Sequence, residues 1–322
     1  MKLIALALSL SLGTAAPALA QASTWPTKNV RIVVPFGPGS TPDIVARIIS
    51  DQLQKKYPNF AFVVENKPGA SGNLGTDMVA KAEPDGSTIG VSIGGPLAIN
   101  TLLFSKLPYN PGKDIAAITQ LITQPSALAV NPALGVNNVA ELVALLKKDP
   151  GKYNFSSIGN GSLSHLAMEA IAIKAGSKMV HVPYPSSPQA ITAVIRNDAQ
   201  MACLPAISVT PQVQSGAVKI LAVSTAKRSK FLPDIPTLKE SGIDVEADAW
   251  MGLIAPGGTP KPIVDAINKD VVAIIKLPEV TAKLATQLME PVGNTPGQFR
   301  AVIDGEVARW APVIKAADVK VN

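Results

Sequence analysis

Short apolar runs alternate with apolar stripes at helical spacing along most of the chain. Residues 30–34, 60–65, 87–93 and 128–131 are rich in β-branched side chains and read as strands. Between them, 41–56, 75–82 and 97–104 carry helical periodicity; Ile44, Val45, Ile48, Ile49 and Leu53 form one such stripe. A second series follows, with strands over 153–157, 179–183, 200–204 and 219–225 and helices over 162–175, 188–197 and 208–216. A last extended run, 250–255, precedes Pro256-Gly257-Gly258-Thr259-Pro260 and two helices over 261–275 and 296–316. Regular strand–helix alternation predicts an α/β fold built on mostly parallel sheets flanked by helices.

Two such series in one chain predict two lobes. The first comprises 21–125 with 250–322 and the second 126–249, with the runs 128–131 and 250–255 as crossing segments that act as a hinge. The first twenty residues stand apart. Lys2 is followed by an apolar core from Leu3 to Leu12 and then Pro17-Ala18-Leu19-Ala20, which reads as a secretory signal cleaved after Ala20. That core is too short to span a bilayer, so the expected location is the periplasm.

Composition narrows the function. A 47% hydrophobic content supports full cores, and 28 prolines argue for defined turns. The net charge of +6 comes from scattered residues with no basic stripe, which argues against nucleic acid as a partner. One cysteine, Cys203, and two histidines, His165 and His181, give no thiolate or histidine metal site and imply no cofactor. An aromatic content of 4% argues against sugar stacking.

Two turns carry the candidate chemistry. One runs through Phe36-Gly37-Pro38-Gly39-Ser40-Thr41, the other through Gly159-Asn160-Gly161-Ser162, with His165 in the helical turn that follows. Each leaves a strand and opens a helix. Glycines allow close backbone approach, hydroxyls stand beside unpaired N–H groups, and the helix start favours an anion. Neither turn contains Lys or Arg, so the expected mode is capture of one anion by neutral donors from both lobes. His165 reads either as a ligand contact or as a support for its loop.

Two other motifs point elsewhere. Gly90-Val91-Ser92-Ile93-Gly94 matches the nucleophile elbow of serine hydrolases, but that elbow needs its serine on a strand-to-helix turn, and Ser92 lies inside a strand-like run. Ser92 and Gly94 are nonetheless expected to border the cleft. The pair Gly37 and Gly39 after a strand is a partial dinucleotide fingerprint, with Pro42 where the third glycine belongs.

Several stretches together resemble the TctC-like, or Bug, family of extracytoplasmic solute receptors of tripartite tricarboxylate transporters. They include Val33-Val34-Pro35-Phe36-Gly37-Pro38-Gly39, Glu65-Asn66-Lys67-Pro68-Gly69-Ala70, Pro84-Asp85-Gly86, Ser162-Leu163-Ser164-His165-Leu166 and His181-Val182-Pro183-Tyr184. Leu232-Pro233-Asp234-Ile235-Pro236-Thr237, Trp250 and Ala255-Pro256-Gly257-Gly258-Thr259-Pro260 extend the match over nearly the whole mature chain. The resemblance implies a two-lobed, Venus-flytrap periplasmic binding protein without enzymatic activity, monomeric, that closes on a small organic acid. It further implies delivery to membrane transporter subunits, a sensor kinase being the alternative partner. It places Tyr184, Ser186, Ser187 and Leu204 around the rest of the pocket. Many relatives carry an aspartate where Leu204 stands, so the distal pocket is expected to be less acidic and to accept a dicarboxylate or an aromatic acid.

Overall fold

The computed structural model describes residues 25–321. The expected signal segment and its cleavage site lie outside the described residues. The first lobe begins with β1 (Val30–Val34), α1 (Thr41–Lys56), β2 (Phe62–Asn66), α2 (Asn73–Ala80) and β3 (Thr88–Ile93). A π-turn over Gly95–Ile99 leads into the short α3 (Asn100–Leu103), then β4 (Ile115–Gln124). The second lobe holds β5 (Ser126–Val130), α4 (Val139–Lys148), β6 (Asn154–Ser157), α5 (Leu163–Ala175) and β7 (Val180–Pro183). It continues with α6 (Ser187–Ile195), β8 (Met201–Pro205), α7 (Ala206–Gln214) and β9 (Lys219–Val223). The chain then returns through β10 (Ala249–Pro256), α8 (Lys261–Ile275), α9 (Pro278–Ala285), β11 (Glu290–Pro291) and α10 (Pro296–Ala316).

One sheet has the order β11-β4-β10-β3-β1-β2 and the other β7-β6-β8-β5-β9. Both are mixed rather than mostly parallel. The βα units pair in parallel, as in β1 with β2 and β3, and β6 with β7 and β8. Pairings that involve β4, β5 and β10 are antiparallel; β5 follows β4 directly and β10 follows the helix-free passage 224–248, without the crossover helix that parallel pairing needs.

Strand alternation distributes the cores. In β1, Ile32 and Val34 join the cluster under α1 with Val45, Ile49 and Leu53, while Val33 faces Val79, Ile254 and Phe299 on the other side. In β5, Leu128 and Val130 pack towards Phe155 and Leu166, and Ala127 and Ala129 towards Ile191 and Leu204. The last helix ties the lobes together. Phe299 and Ile303 of α10 belong to a first-lobe cluster, and Trp310 and Ile314 to the second-lobe core.

The passages between lobes lie just upstream of the runs read as crossings. Pro125 separates β4 from β5, and the return occupies 224–248, ahead of β10, which pairs only with β3 and β4. The two passages are stitched together. The Ser224 N–H donates to the Ser126 carbonyl at 2.9 Å, and the Ala247 N–H donates to the Ser224 carbonyl at 3.0 Å.

Candidate functional site

The two glycine turns are built on one plan. Each pairs a position with its counterpart 122 residues on: 37 with 159, 39 with 161, 40 with 162, 43 with 165. The Ser40 N–H donates to the Gly37 carbonyl at 3.2 Å, and the Ser162 N–H to the Gly159 carbonyl at 3.2 Å. Gly39 and Gly161 both sit in the left-handed region, at φ 77° and 69°. Both glycine N–H groups then donate to a side chain four residues on, Gly39 to Asp43 Oδ2 at 2.8 Å and Gly161 to His165 Nδ1 at 3.1 Å. Ser40 and Ser162 hold the N-cap positions of α1 and α5.

Behind the first turn, Asp43 is an anchor. Its carboxylate accepts from Arg47 Nε at 3.0 Å and Asn66 Nδ2 at 2.9 Å, and Asn66 also donates to the Phe36 carbonyl at 2.9 Å. Burial pushes the Asp43 pKa up, but the bonds from Arg47, the Gly39 N–H and Asn66 outweigh it and leave it below the usual carboxylate range.

Behind the second turn stands a stacked pair of rings. His165 and His181 lie 3.7 Å apart between centroids and 8° from parallel, with Phe155 stacked beyond His181 at 5.0 Å. Accepting from Gly161 leaves His165 Nδ1 without a proton, so the neutral ring carries its hydrogen on Nε2, on the side of Glu169 Oε1 at 3.5 Å. His181 Nε2 lies 2.6 Å from Ser157 Oγ. Burial, reinforced by His165, lowers the His181 pKa to about 4. His165 is buried and supports its loop; it does not line the cavity in front of it.

The turns meet in a cavity of about 490 Å3 between the lobes. Phe36, Thr41 and Pro42 line it from the first turn, 158–164 from the second, and Ile93 to Gly95 with Asn100, Leu103 and Phe104 from the end of β3 onward. Gln124 and Ser126 flank the lobe passage, and Asp248 to Met251 the return; Glu306 and Val321 complete the wall together with Ser71 and Pro205. The helix-start N–H groups of Thr41, Asp43, Leu163 and Ser164 have no acceptor among the described residues, as the first turns of helices require. Backbone donors and two helix N-termini thus converge on one space. Among the described residues no Lys, Arg or His lines it.

The structure brings together Phe36, Thr41, Gly94, Gly159, Asn160, Gly161 and Ser162 of the expected set. Gly37, Pro38, Gly39 and Ser40 form the first turn without lining the cavity. Ser92 is buried in β3, paired opposite Gly252, with its Oγ 3.3 Å from Thr76 Oγ, so it neither borders the cleft nor forms an elbow. Tyr184 lines a separate shallow concavity on the second lobe with Arg196 and Asp198, and Ser186 and Ser187 start α6 away from the cavity. Leu204 is fully buried in the second lobe, and its neighbour Pro205 reaches the cavity instead.

The expectation of a less acidic pocket is corrected by two residues that sequence reasoning missed. Asp248 and Glu306 both line the cavity. Burial, with Glu246 adding to it, raises the Asp248 pKa to about 8, and burial likewise raises that of Glu306. The only signal in the sequence was an acid placed just before the apolar strand that opens at Trp250.

Known proteins with this architecture share the sequence as well. The family model described as the tripartite tricarboxylate transporter family receptor, TctC, matches residues 45–319. Protein BugT of Bordetella pertussis is 32% identical over 314 residues, covering 96% of this chain and 95% of that protein. An R. palustris protein solved with adipate superposes with a TM-score of 0.80 at 32% identity, over 92% of this chain and 99% of its own. MatC from Rhodopseudomonas palustris, solved with bound malate, gives 0.75 at 28% identity, over 90% and 100%. The periplasmic binding protein BugD gives 0.75 at 31%, over 92% and 99%. Twin helix-start turns on a two-lobed α/β frame, together with a family match over most of the chain, show that it belongs to the tripartite tricarboxylate transporter family receptors, a family of solute-binding receptors rather than enzymes.

Proposed function

We propose that this protein captures a small organic carboxylate between its lobes in the periplasm and delivers it to a tripartite tricarboxylate-type transporter, acting as a monomer. The observation that carries the reading is the convergence of two matched helix-start turns, one from each lobe, on a single cavity. Charge-assisted hydrogen bonds from N–H groups contribute about 1.5–3 kcal/mol each, and a helix N-terminus adds about 0.3–2. A few such contacts, less the costs of association, reach the roughly 8 kcal/mol of micromolar binding without a basic side chain.

The wall bears on the rest of the ligand. Phe36, Ile93, Leu103, Phe104 and Trp250 suit an apolar or aromatic body. The bound adipate and malate of the related proteins keep aliphatic dicarboxylates in view. A second carboxylate here would share the cavity with Asp248 and Glu306 and no base, which favours the aromatic acid of the two classes.

The test is a thermal-shift scan of the mature protein against aliphatic dicarboxylates, tricarboxylates, aromatic acids, and the amides of each. A ligand at a hundredfold excess over its dissociation constant adds about 2.7 kcal/mol of apparent stability. A shift with an acid that disappears with its amide supports carboxylate capture. Shifts of equal size with acid and amide would overturn it.

A further inference from the structure

One group in the cavity is left unsatisfied by the protein itself. Asp248 lines the wall where the chain returns to the first lobe, and its Oδ1 is buried with no hydrogen-bond partner among the described residues. The other acid of the wall is compensated. Glu306 accepts from Arg309 Nη1 at 2.7 Å through Oε1 and from Trp310 Nε1 at 2.8 Å through Oε2. Arg309 is also engaged by Glu246, to which its Nη2 donates at 3.0 Å. Arg309, the cation that acts on Asp248 among the described residues, is therefore shared between two other carboxylates.

We propose that Asp248 determines specificity, and that the cavity takes a ligand bearing an ammonium group as well as a carboxylate, with the ammonium donating to Asp248 and the carboxylate held at the two turns. This rests on the carboxylate reading above. An ammonium carries three donors and no acceptor, so it suits an acid that lines the cavity and accepts no side-chain hydrogen bond from the described residues. It also balances a wall whose ionisable side chains, among the described residues, are acids. The charges acting on Asp248 are Glu246, Glu306 and Glu290, against Arg309 alone. A second ligand carboxylate would add to that repulsion. The group would be a primary or secondary amine on an apolar or aromatic body, as in amino acids and longer amino carboxylates.

A cation beside Asp248 favours its ionised form, so an acid that is largely protonated at neutral pH gives up its proton as such a ligand binds. The test is titration calorimetry of the mature protein with aliphatic and aromatic amino acids, amino group at either end, each paired with the acid lacking it. Adipate is included, and titrations run at pH 7 in two buffers of different ionisation enthalpy. The expected result is binding at least about tenfold tighter for the amino members, with net proton release. Asp248→Asn is expected to abolish that preference while leaving the acids without an amino group as tight as before or tighter.

Equal or tighter binding of the acids without an amino group to the wild type overturns the inference alone and needs no variant. An unchanged preference in Asp248→Asn does the same. Failure of every carboxylate to bind overturns the reading beneath it, and the inference with it.

Discussion

Ser40 and Ser162 cap the helices of the two turns with the same backbone geometry, φ/ψ of −67°/157° and −66°/158°, yet their hydroxyls differ completely in surroundings. Ser162 Oγ accepts from the His165 N–H at 3.3 Å and donates to the Gly159 carbonyl at 2.7 Å. Its one proton being taken, Ser164 Oγ, 3.0 Å away, is the donor of that pair, and Ser164 in turn accepts from the Ile158 N–H at 3.0 Å. Ser40 Oγ makes no capping bond and is buried without a partner among the described residues. The same plan has therefore been fixed internally on one lobe and left open on the other.

That asymmetry sets opposite expectations for the same substitution. Ser162→Ala removes a working cap and should lower stability by about 1 kcal/mol. Ser40→Ala removes a buried, unpaired hydroxyl and should leave stability unchanged or raise it, by up to about 1–3 kcal/mol. Equilibrium urea unfolding of the two variants checks this, and equal losses would contradict it. Ligand affinity should also fall in Ser162→Ala, by about 1–3 kcal/mol, because the turn loses its internal ties at the cavity wall.

The two left-handed glycines diverge in a similar way. A Cβ on Gly161 would meet Leu103 Cδ1 at 2.3 Å, whereas one on Gly39 meets nothing within 4 Å. Gly39→Ala should cost only the left-handed backbone penalty of about 1–2 kcal/mol. Gly161→Ala should add an overpacking cost of about 1–3 kcal/mol and displace Leu103, which lines the cavity. Melting curves measure the first difference, and calorimetry with any ligand found by the thermal scan measures the second.

Local chemistry made much of this legible. β1, α1, α8 and α10 end where the sequence predicts, since Ser40-Thr41-Pro42 and the capping box of Thr295 with Gln298 mark helix starts without tertiary help. β4 escaped because it is buried on both faces yet carries Thr119, Gln120 and Gln124, which blurs both alternation and an apolar run. α4 carries a signal that the reading passed over, an Asn138 cap ahead of Val139, Leu142 and Leu146. The turns were visible because a glycine turn leading into a capped helix start is a local device. Asp248 and Glu306 were not, because residues so far apart in the chain share a wall only once both lobe passages and α10 are in place.

The histidine stack gives the protein an acid-sensitive element. His181 is held neutral, with its pKa lowered to about 4 from an ordinary 6.5, chiefly by burial and then by His165. Between those values the unfolded chain binds the proton that the folded chain refuses, so stability rises with pH through this window and is lost as pH falls from about 6.5 towards 4. His181→Phe keeps the stack on His165 and Phe155 but removes the titration. Unfolding free energies measured from pH 4 to 7 should show a flatter acid limb in the variant, and an unchanged slope would assign the acid loss to other groups.

Asp248 works in the opposite direction. Its pKa is raised to about 8 from 3.8, first by burial and then by Glu246, so from about pH 4 to pH 8 the folded chain keeps a proton that the unfolded chain releases. Stability contributed by this acid is greatest below about pH 4 and falls as pH rises through the window. Asp248→Asn holds the side chain neutral with nearly the same shape. The variant should match the wild type near pH 4 and exceed it increasingly towards pH 8. Between about pH 4 and 6.5 this gain overlaps the His181 window, and from about 6.5 to 8 it runs beyond it, so the upper part of the range reports Asp248 without His181. Thermal unfolding at pH 4, 6 and 8 decides the matter: a variant less stable than the wild type at pH 8 would mean that the carboxylate has a stabilising partner in the folded protein, and Asp248 could not then be the open position of the cavity wall.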